Sequence, residues 1–184
     1  NDTFNGKACI SAKLPEKNDG SRWDFTDLYI NGKRASFTRF PKSGTLKARR
    51  TENEYGGFEE WKHLFDSSKW FDAYAEDLSD IEGIEDAIVS YYHYWIDEHS
   101  PIESYDRETG RLVMKYASRF GITTCYENNA THNLHYYLEN LPGFFSSENE
   151  WYLDRSAGVV YYMPREGIDI SNIHLDLLYT KPVT

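Results

Sequence analysis

The run Glu150-Trp151-Tyr152-Leu153-Asp154-Arg155-Ser156-Ala157-Gly158-Val159-Val160-Tyr161-Tyr162-Met163-Pro164 reads as two short, aromatic-rich strands joined by a tight turn. Aromatic and β-branched residues fit a pleated, half-buried surface. Asp154 and, four residues on, Gly158 supply the turn chemistry. An Asp side chain bonds nearby backbone, and Gly accepts a positive φ. Pro164 closes the second strand because it cannot donate to a ladder. The same spacing recurs at Asp106 and Gly110, between strand candidates at Ile102–Asp106 and Arg111–Tyr116. One turn device used twice strengthens an antiparallel reading.

Outward from these hairpins, strand candidates cover Lys7–Leu14, the region of Leu28-Tyr29-Ile30, Arg34–Phe40, Ala87–Ile96, His135–Glu139 and Ile168–Leu178. Asn31-Gly32 is a strong hairpin signal, since both residues tolerate positive φ. Lys42–Gly57 is polar, lacks periodicity and predicts a long exposed loop. Phe58–Leu64 suits a short strand or a helical turn. Trp70, Phe71, Tyr74, Ala75 and Leu78 recur at helical spacing, so Ser68–Leu78 predicts a short helix. Leu141–Ser147 predicts another short helix or turn. Many short strands without a βαβ rhythm indicate an all-β chain, a mainly antiparallel sandwich or distorted barrel with one or two short helices. The expected organisation is a single domain over residues 1–184.

Composition agrees. Hydrophobic residues make up only 40% of the chain, but aromatics reach 16%, so rings supply much of the buried area. The net charge of −10 argues against nucleic-acid and anionic-membrane partners, which bind basic patches. Cys9 and Cys125 allow at most one bridge. No Cys-x-x-Cys or His-x-x-x-His is present, and His132 and His135 fall on opposite faces of a strand, so no metal site and no cofactor are expected. Asn1 in place of an initiating Met is what a segment cut from something larger, or matured, would show.

Thirty Asp and Glu residues make carboxylate pairs easy to name and uninformative. Glycosidases need two carboxyls facing each other across the substrate, which linear order does not reveal, so no catalytic residue is assigned. There is no Gly-x-Ser-x-Gly elbow and no phosphate-cradling loop. Rings suited to stacking on sugars are plentiful, among them Tyr91, Tyr92, Tyr94 and Trp95, although most rings in such a chain belong to its core. In a strand, Tyr91, His93 and Trp95 share one face and Tyr92, Tyr94 and Ile96 the other. The candidates for contact with a carbohydrate or an adjoining domain are Arg39, Tyr94, Trp95 and His99. The plain alternative for Arg39 is a surface salt bridge.

Several runs then fall into an order found elsewhere. They are Phe25 to Ala35 with its Leu-Tyr-Ile-Asn-Gly-Lys-Arg, Arg39-Phe40-Pro41, Trp95, Ile102-Glu103-Ser104-Tyr105-Asp106, Leu138-Glu139-Asn140, Glu150 to Asp154, and Gly158 to Pro164. In this order they resemble the β-sandwich inserted between early coils of right-handed parallel β-helix glycoside hydrolases. Asn149 stands where that pattern has Gly before Glu-Trp. The family's catalytic carboxylates lie on the coils, so none transfers to this chain. The resemblance implies an accessory domain excised from a secreted, extracellular or periplasmic bacterial carbohydrate-active enzyme. Its partners would be the β-helix of the same parent and, at the cleft wall, an oligo- or polysaccharide. A stand-alone carbohydrate-binding module and a structural or oligomer-forming domain are the alternatives, with a complete small hydrolase last.

Overall fold

The structure is a computed structural model that describes residues 2–4, 6–53, 62, 65–93, 95–122, 125–126, 130–131 and 134–178. It is all-β, and the chain divides into two compact units: residues 1–39 with 140–184, and residues 40–139. The strands are β1 (Asp2–Phe4), β2 (Lys7–Lys13), β3 (Asp27–Ile30), β4 (Lys33–Arg34), β5 (Ser36–Phe37), β6 (Arg39–Phe40), β7 (Leu46–Thr51), β8 (Trp70–Ala73), β9 (Ile88–His93), β10 (Ile96–Asp106), β11 (Arg111–Met114), β12 (Cys125–Tyr126), β13 (Ala130–Thr131), β14 (His135–Glu139), β15 (Glu150–Asp154), β16 (Val159–Tyr162) and β17 (Leu175–Leu178). One helical turn, α1 (Ala75–Leu78), follows β8. No helix among the described residues is long and apolar enough to cross a membrane.

The first unit is a sandwich. A five-stranded sheet, β1-β2-β16-β15-β5, faces a three-stranded sheet, β17-β3-β4. The β15/β16 hairpin is its keystone. Trp151 pairs with Tyr162 and Leu153 with Val160, so these four point to one face. There they bury with Phe25, Leu28 and Ile30. The Trp151 ring is stacked between Phe37, centroids 4.0 Å apart, and Phe25, at 5.2 Å. On the opposite face Tyr152 and Tyr161 stack at 6.1 Å and join Phe4, Cys9, Phe145 and Met163. Cys9 is a buried free thiol there.

Side chains finish what the strands leave open. Asp154 Oδ1 accepts from Ala157 N at 2.8 Å and from Ser156 Oγ at 2.6 Å, and Gly158 takes φ 63°. Buried Asn140 stands in for a missing strand neighbour: its amide donates to Leu153 O at 3.0 Å and its carbonyl accepts from Leu153 N at 2.9 Å. Buried Glu150 accepts from Ser146 N and Ser147 N, each at 2.9 Å. A carboxylate out of water needs such donors.

The second unit is a closed barrel of six antiparallel strands, β14-β7-β8-β11-β10-β9, with β9 returning to β14. Closure removes sheet edges. Phe71 opposite Leu112, Tyr91 opposite Tyr136, and Val89 opposite Leu138 fill the interior. Among the described residues, Tyr136 Oη is buried there without a hydrogen-bond partner.

Three elements differ from the sequence expectations. The predicted loop Lys42–Gly57 contains strand β7. Its fully buried residues are only Ala48 and Thr51, the outward ones are charged, and a bulge between Ala48 and Arg50 breaks the alternation. The predicted helix Ser68–Leu78 is strand β8 followed by the single turn α1. Trp70, which suggested a helical stripe, is on the outer face beneath the Arg111 guanidinium, 3.6 Å from its ring centre. The predicted strand Ile168–Leu178 begins with a 3-10 turn, Ile170–Asn172. Of Phe58–Leu64, all but Lys62 lie outside the described residues.

Candidate functional site

The outer face of β9, β10 and β14 gathers a connected polar cluster. Ser90 lies opposite His99 across one ladder and opposite Tyr137 across the other, and Tyr92 lies opposite Asp97. Because alternate residues share a face, Ser90, Tyr92, Asp97, His99, Tyr137 and Glu139 point away from an interior that takes Val89, Tyr91 and Leu138. Ser90 Oγ donates to Glu139 Oε2 at 2.5 Å and lies 2.6 Å from His99 Nδ1. His99 Nε2 faces Asp97 Oδ2 at 3.4 Å, and Nδ1 lies 3.6 Å from Glu139 Oε2.

Proton bookkeeping follows from that geometry. Ser90 Oγ donates to Glu139, and the same oxygen faces His99 Nδ1, while Nε2 faces Asp97. Both ring nitrogens thus face oxygen atoms, a setting that favours the protonated ring. Hydrogen bonding to Glu139 raises the His99 pKa above its ordinary value, partial burial opposes this, and the charges of Glu139 and Asp97 add to the rise. Burial and the nearby Glu139 also raise the Tyr137 hydroxyl. Serine, histidine and aspartate in contact suggest a nucleophilic triad, but the protons run the wrong way. Ser90 is 1% exposed and gives its proton to a carboxylate, so it is held as a structural hydroxyl.

Tyr92 is 44% exposed, with its ring centre 5.9 Å from that of Tyr137. The side chains of Asp97 and His99 are 59% and 46% exposed, and that of Glu139 is 16% exposed. The surface therefore combines an open ring, an imidazole and two carboxylates, with their geometry fixed by the ladder.

Of the four candidates named from sequence, His99 is in this cluster. Trp95 is elsewhere: it occupies the β9/β10 turn, 65% exposed, with its ring 5.6 Å from Phe120, which also meets Phe65 at 5.5 Å. It therefore does not share a strand face with Tyr91 and His93. Tyr94 lies outside the described residues. Arg39 is half-buried in β6, where the chain leaves the first unit.

A second polar cluster escaped the sequence reading. Asp72, 1% exposed on β8, meets Arg111 at 2.8 Å, Arg50 at 2.9 Å and Arg49 at 3.3 Å. Burial alone would raise its pKa, but the Arg111 hydrogen bond and the charges of Arg111 and Arg50 outweigh it and hold the carboxylate ionised. This buried charge is fully compensated, and its removal would strand three guanidinium groups. The arrangement is a strut between β7, β8 and β11. Its only sequence signal was Arg49-Arg50, in a segment read as loop.

In the first unit, a cleft of about 300 Å³ is lined by Lys13, Lys17, Arg22, Trp23 and Arg155. Three of its four cations already serve the fold. Lys13 Nζ donates to Ala157 O, Lys17 Nζ donates to Arg22 O at 3.0 Å and sits over the Trp23 ring, and Arg155 pairs with Asp24 at 3.1 Å. Among the described residues no group of three or more His, Cys, Asp or Glu side chains could hold a metal ion.

No protein-family model matches the sequence, and no curated protein matches it. Among solved structures, a chain titled "Glycoside hydrolase" is similar, with a TM-score of 0.57 and 22% identity over 90% of this chain and 28% of its own. The likeness establishes a shared fold. This chain spans little more than a quarter of the length of that protein.

Proposed function

We propose that this chain is an accessory, non-catalytic β-domain of a secreted glycoside hydrolase. In this reading it packs on a parallel β-helix of the same parent and contributes to the wall of its substrate cleft. The observation that carries the reading is the asymmetric overlap: nine-tenths of this chain matches 28% of a protein titled as a glycoside hydrolase. The ordered motifs from Leu28 to Pro164 support the β-helix context. Extracellular or periplasmic location belongs to the same proposal. The proton arrangement around Ser90 agrees with a non-catalytic role for that cluster.

The test is turnover of an aryl-glycoside panel by the chain alone. No turnover is expected. Hydrolysis that a single carboxylate substitution abolishes would overturn the proposal. A stand-alone carbohydrate-binding module is the second reading, favoured by the open Tyr92 ring beside fixed polar groups. It predicts sugar binding that needs no second domain.

A further inference from the structure

We propose that the outer face of β9, β10 and β14 binds a neutral oligosaccharide, with the Tyr92 ring as its stacking platform and Asp97, His99 and Glu139 as its hydroxyl-binding groups. The choice of a sugar rests on the glycoside-hydrolase reading above; the choice of residues and of charge class rests on this face alone.

The first argument is the ring. Tyr91 and Tyr92 are neighbours on β9, yet Tyr91 fills the barrel and Tyr92 stands open on its outer surface. A phenol ring has an apolar face for the C–H side of a pyranose and a polar tip that stays wet. The second is preorganisation. Sugar hydroxyls both donate and accept, and this surface offers carboxylate acceptors at Asp97 and Glu139 in fixed positions, with the His99 ring ordered between them. Glu139 is held by Ser90, and Asp97 and His99 are two residues apart on one strand face. Groups already ordered lose less entropy on binding.

The third argument is charge, which narrows the class. Two carboxylates beside a single histidine leave the face without a net positive charge, on a chain whose formal charge is −10. A uronate, sulfated or phosphorylated sugar would meet like charge, whereas a neutral hexose or pentose chain meets none. The Trp95–Phe120–Phe65 cluster offers a second set of rings, so it is the rival surface for the test.

The experiment titrates the folded chain with neutral gluco-, xylo-, manno- and galacto-oligosaccharides and with oligogalacturonate, by calorimetry and by amide shift mapping. At least one neutral series should bind, with shifts centred on β9, β10 and β14, and oligogalacturonate should not bind. Tyr92→Ala and Asp97→Asn, both at exposed side chains, should each raise Kd about tenfold, equivalent to about 1.4 kcal/mol. Trp95→Ala should leave Kd unchanged, and a thermal melt of each variant confirms folding. The proposal is overturned if no neutral series binds, if oligogalacturonate binds at this face, if binding survives both Tyr92→Ala and Asp97→Asn, or if only Trp95→Ala removes it. Those outcomes leave the accessory-domain reading standing, whereas turnover of an aryl-glycoside sinks that reading without touching this one.

Discussion

The β10/β11 and β15/β16 hairpins are closed by the same Asp-x-x-x-Gly turn, yet their surroundings make opposite demands on it. In both, the Asp carboxylate accepts from the turn: Asp106 from Glu108 N, Thr109 N and Thr109 Oγ1, Asp154 from Ser156 Oγ and Ala157 N. In both, the closing Gly has positive φ. At Gly110, however, a Cβ would sit 2.5 Å from Ala73 O, while at Gly158 it would meet only the tip of Lys13 at 3.7 Å. The strands differ too. β15 is covered on both faces, whereas β11 is buried on one and half-open on the other. Local code sets the turn, and tertiary packing sets how much the turn tolerates.

The largest effects test the strands. Trp151→Ala and Tyr152→Ala, on opposite faces of β15, should each cost about 3–5 kcal/mol by urea denaturation. On β11 Leu112→Ala and Met114→Ala, both fully buried, should approach this, at about 2–5 kcal/mol, with the outward Val113→Ala near 1. A loss at Val113 equal to that at Leu112 would show that the outer face of β11 is covered and would break the contrast.

The glycines come next. Gly110→Ala should lose about 1–2 kcal/mol from its φ and about 1–3 more from overlap with the Ala73 carbonyl. Gly158→Ala should lose only the φ cost, about 1 kcal/mol. Equal losses would mean that β8 moves aside for the added methyl.

A smaller effect should unite the two turns. The Thr109 hydroxyl, then the Glu108 and Thr109 amides, hold the Asp106 pKa below its ordinary value. At Asp154 burial pushes upward, but bonds from Ser156 and Ala157 outweigh it, and the net shift is again downward. A carboxylate with a depressed folded pKa contributes stability that is present above about pH 4 and lost as pH falls through the folded value. Thermal melts over that acid range should show Asp106→Ala and Asp154→Ala flattening the acid limb in the same direction. The smallest change is Tyr136→Phe in the barrel. Removing a buried hydroxyl with no partner should leave stability level or raise it by about 1 kcal/mol.

The turns, the Asn31-Gly32 hairpin and the alternating aromatic strands were legible because each signal lies within a few residues. β7 was not, because its buried positions are a small alanine and a threonine while Lys47, Arg49 and Arg50 lie on the outer face. β8 read as helix because Trp70 serves the outer face through Arg111 rather than the core. His99 was named as a contact residue, but its partners Ser90 and Glu139 lie on other strands, and only the register brings them together. The Asp72 cluster needed three strands to meet. Such sites depend on ladder pairing that composition and periodicity do not encode.

Asn140 has one more consequence. Its backbone N–H bonds Thr38 O at 2.9 Å, and Thr38 Oγ1 donates to Leu141 O at 3.4 Å. The two places where the chain leaves and re-enters the sandwich are therefore stitched side by side. In topological terms the whole barrel is an oversized loop between two adjoining points of the sandwich, its ends as close as those of a hairpin. A fold built this way can gain, lose or exchange its inserted unit without rethreading the sandwich.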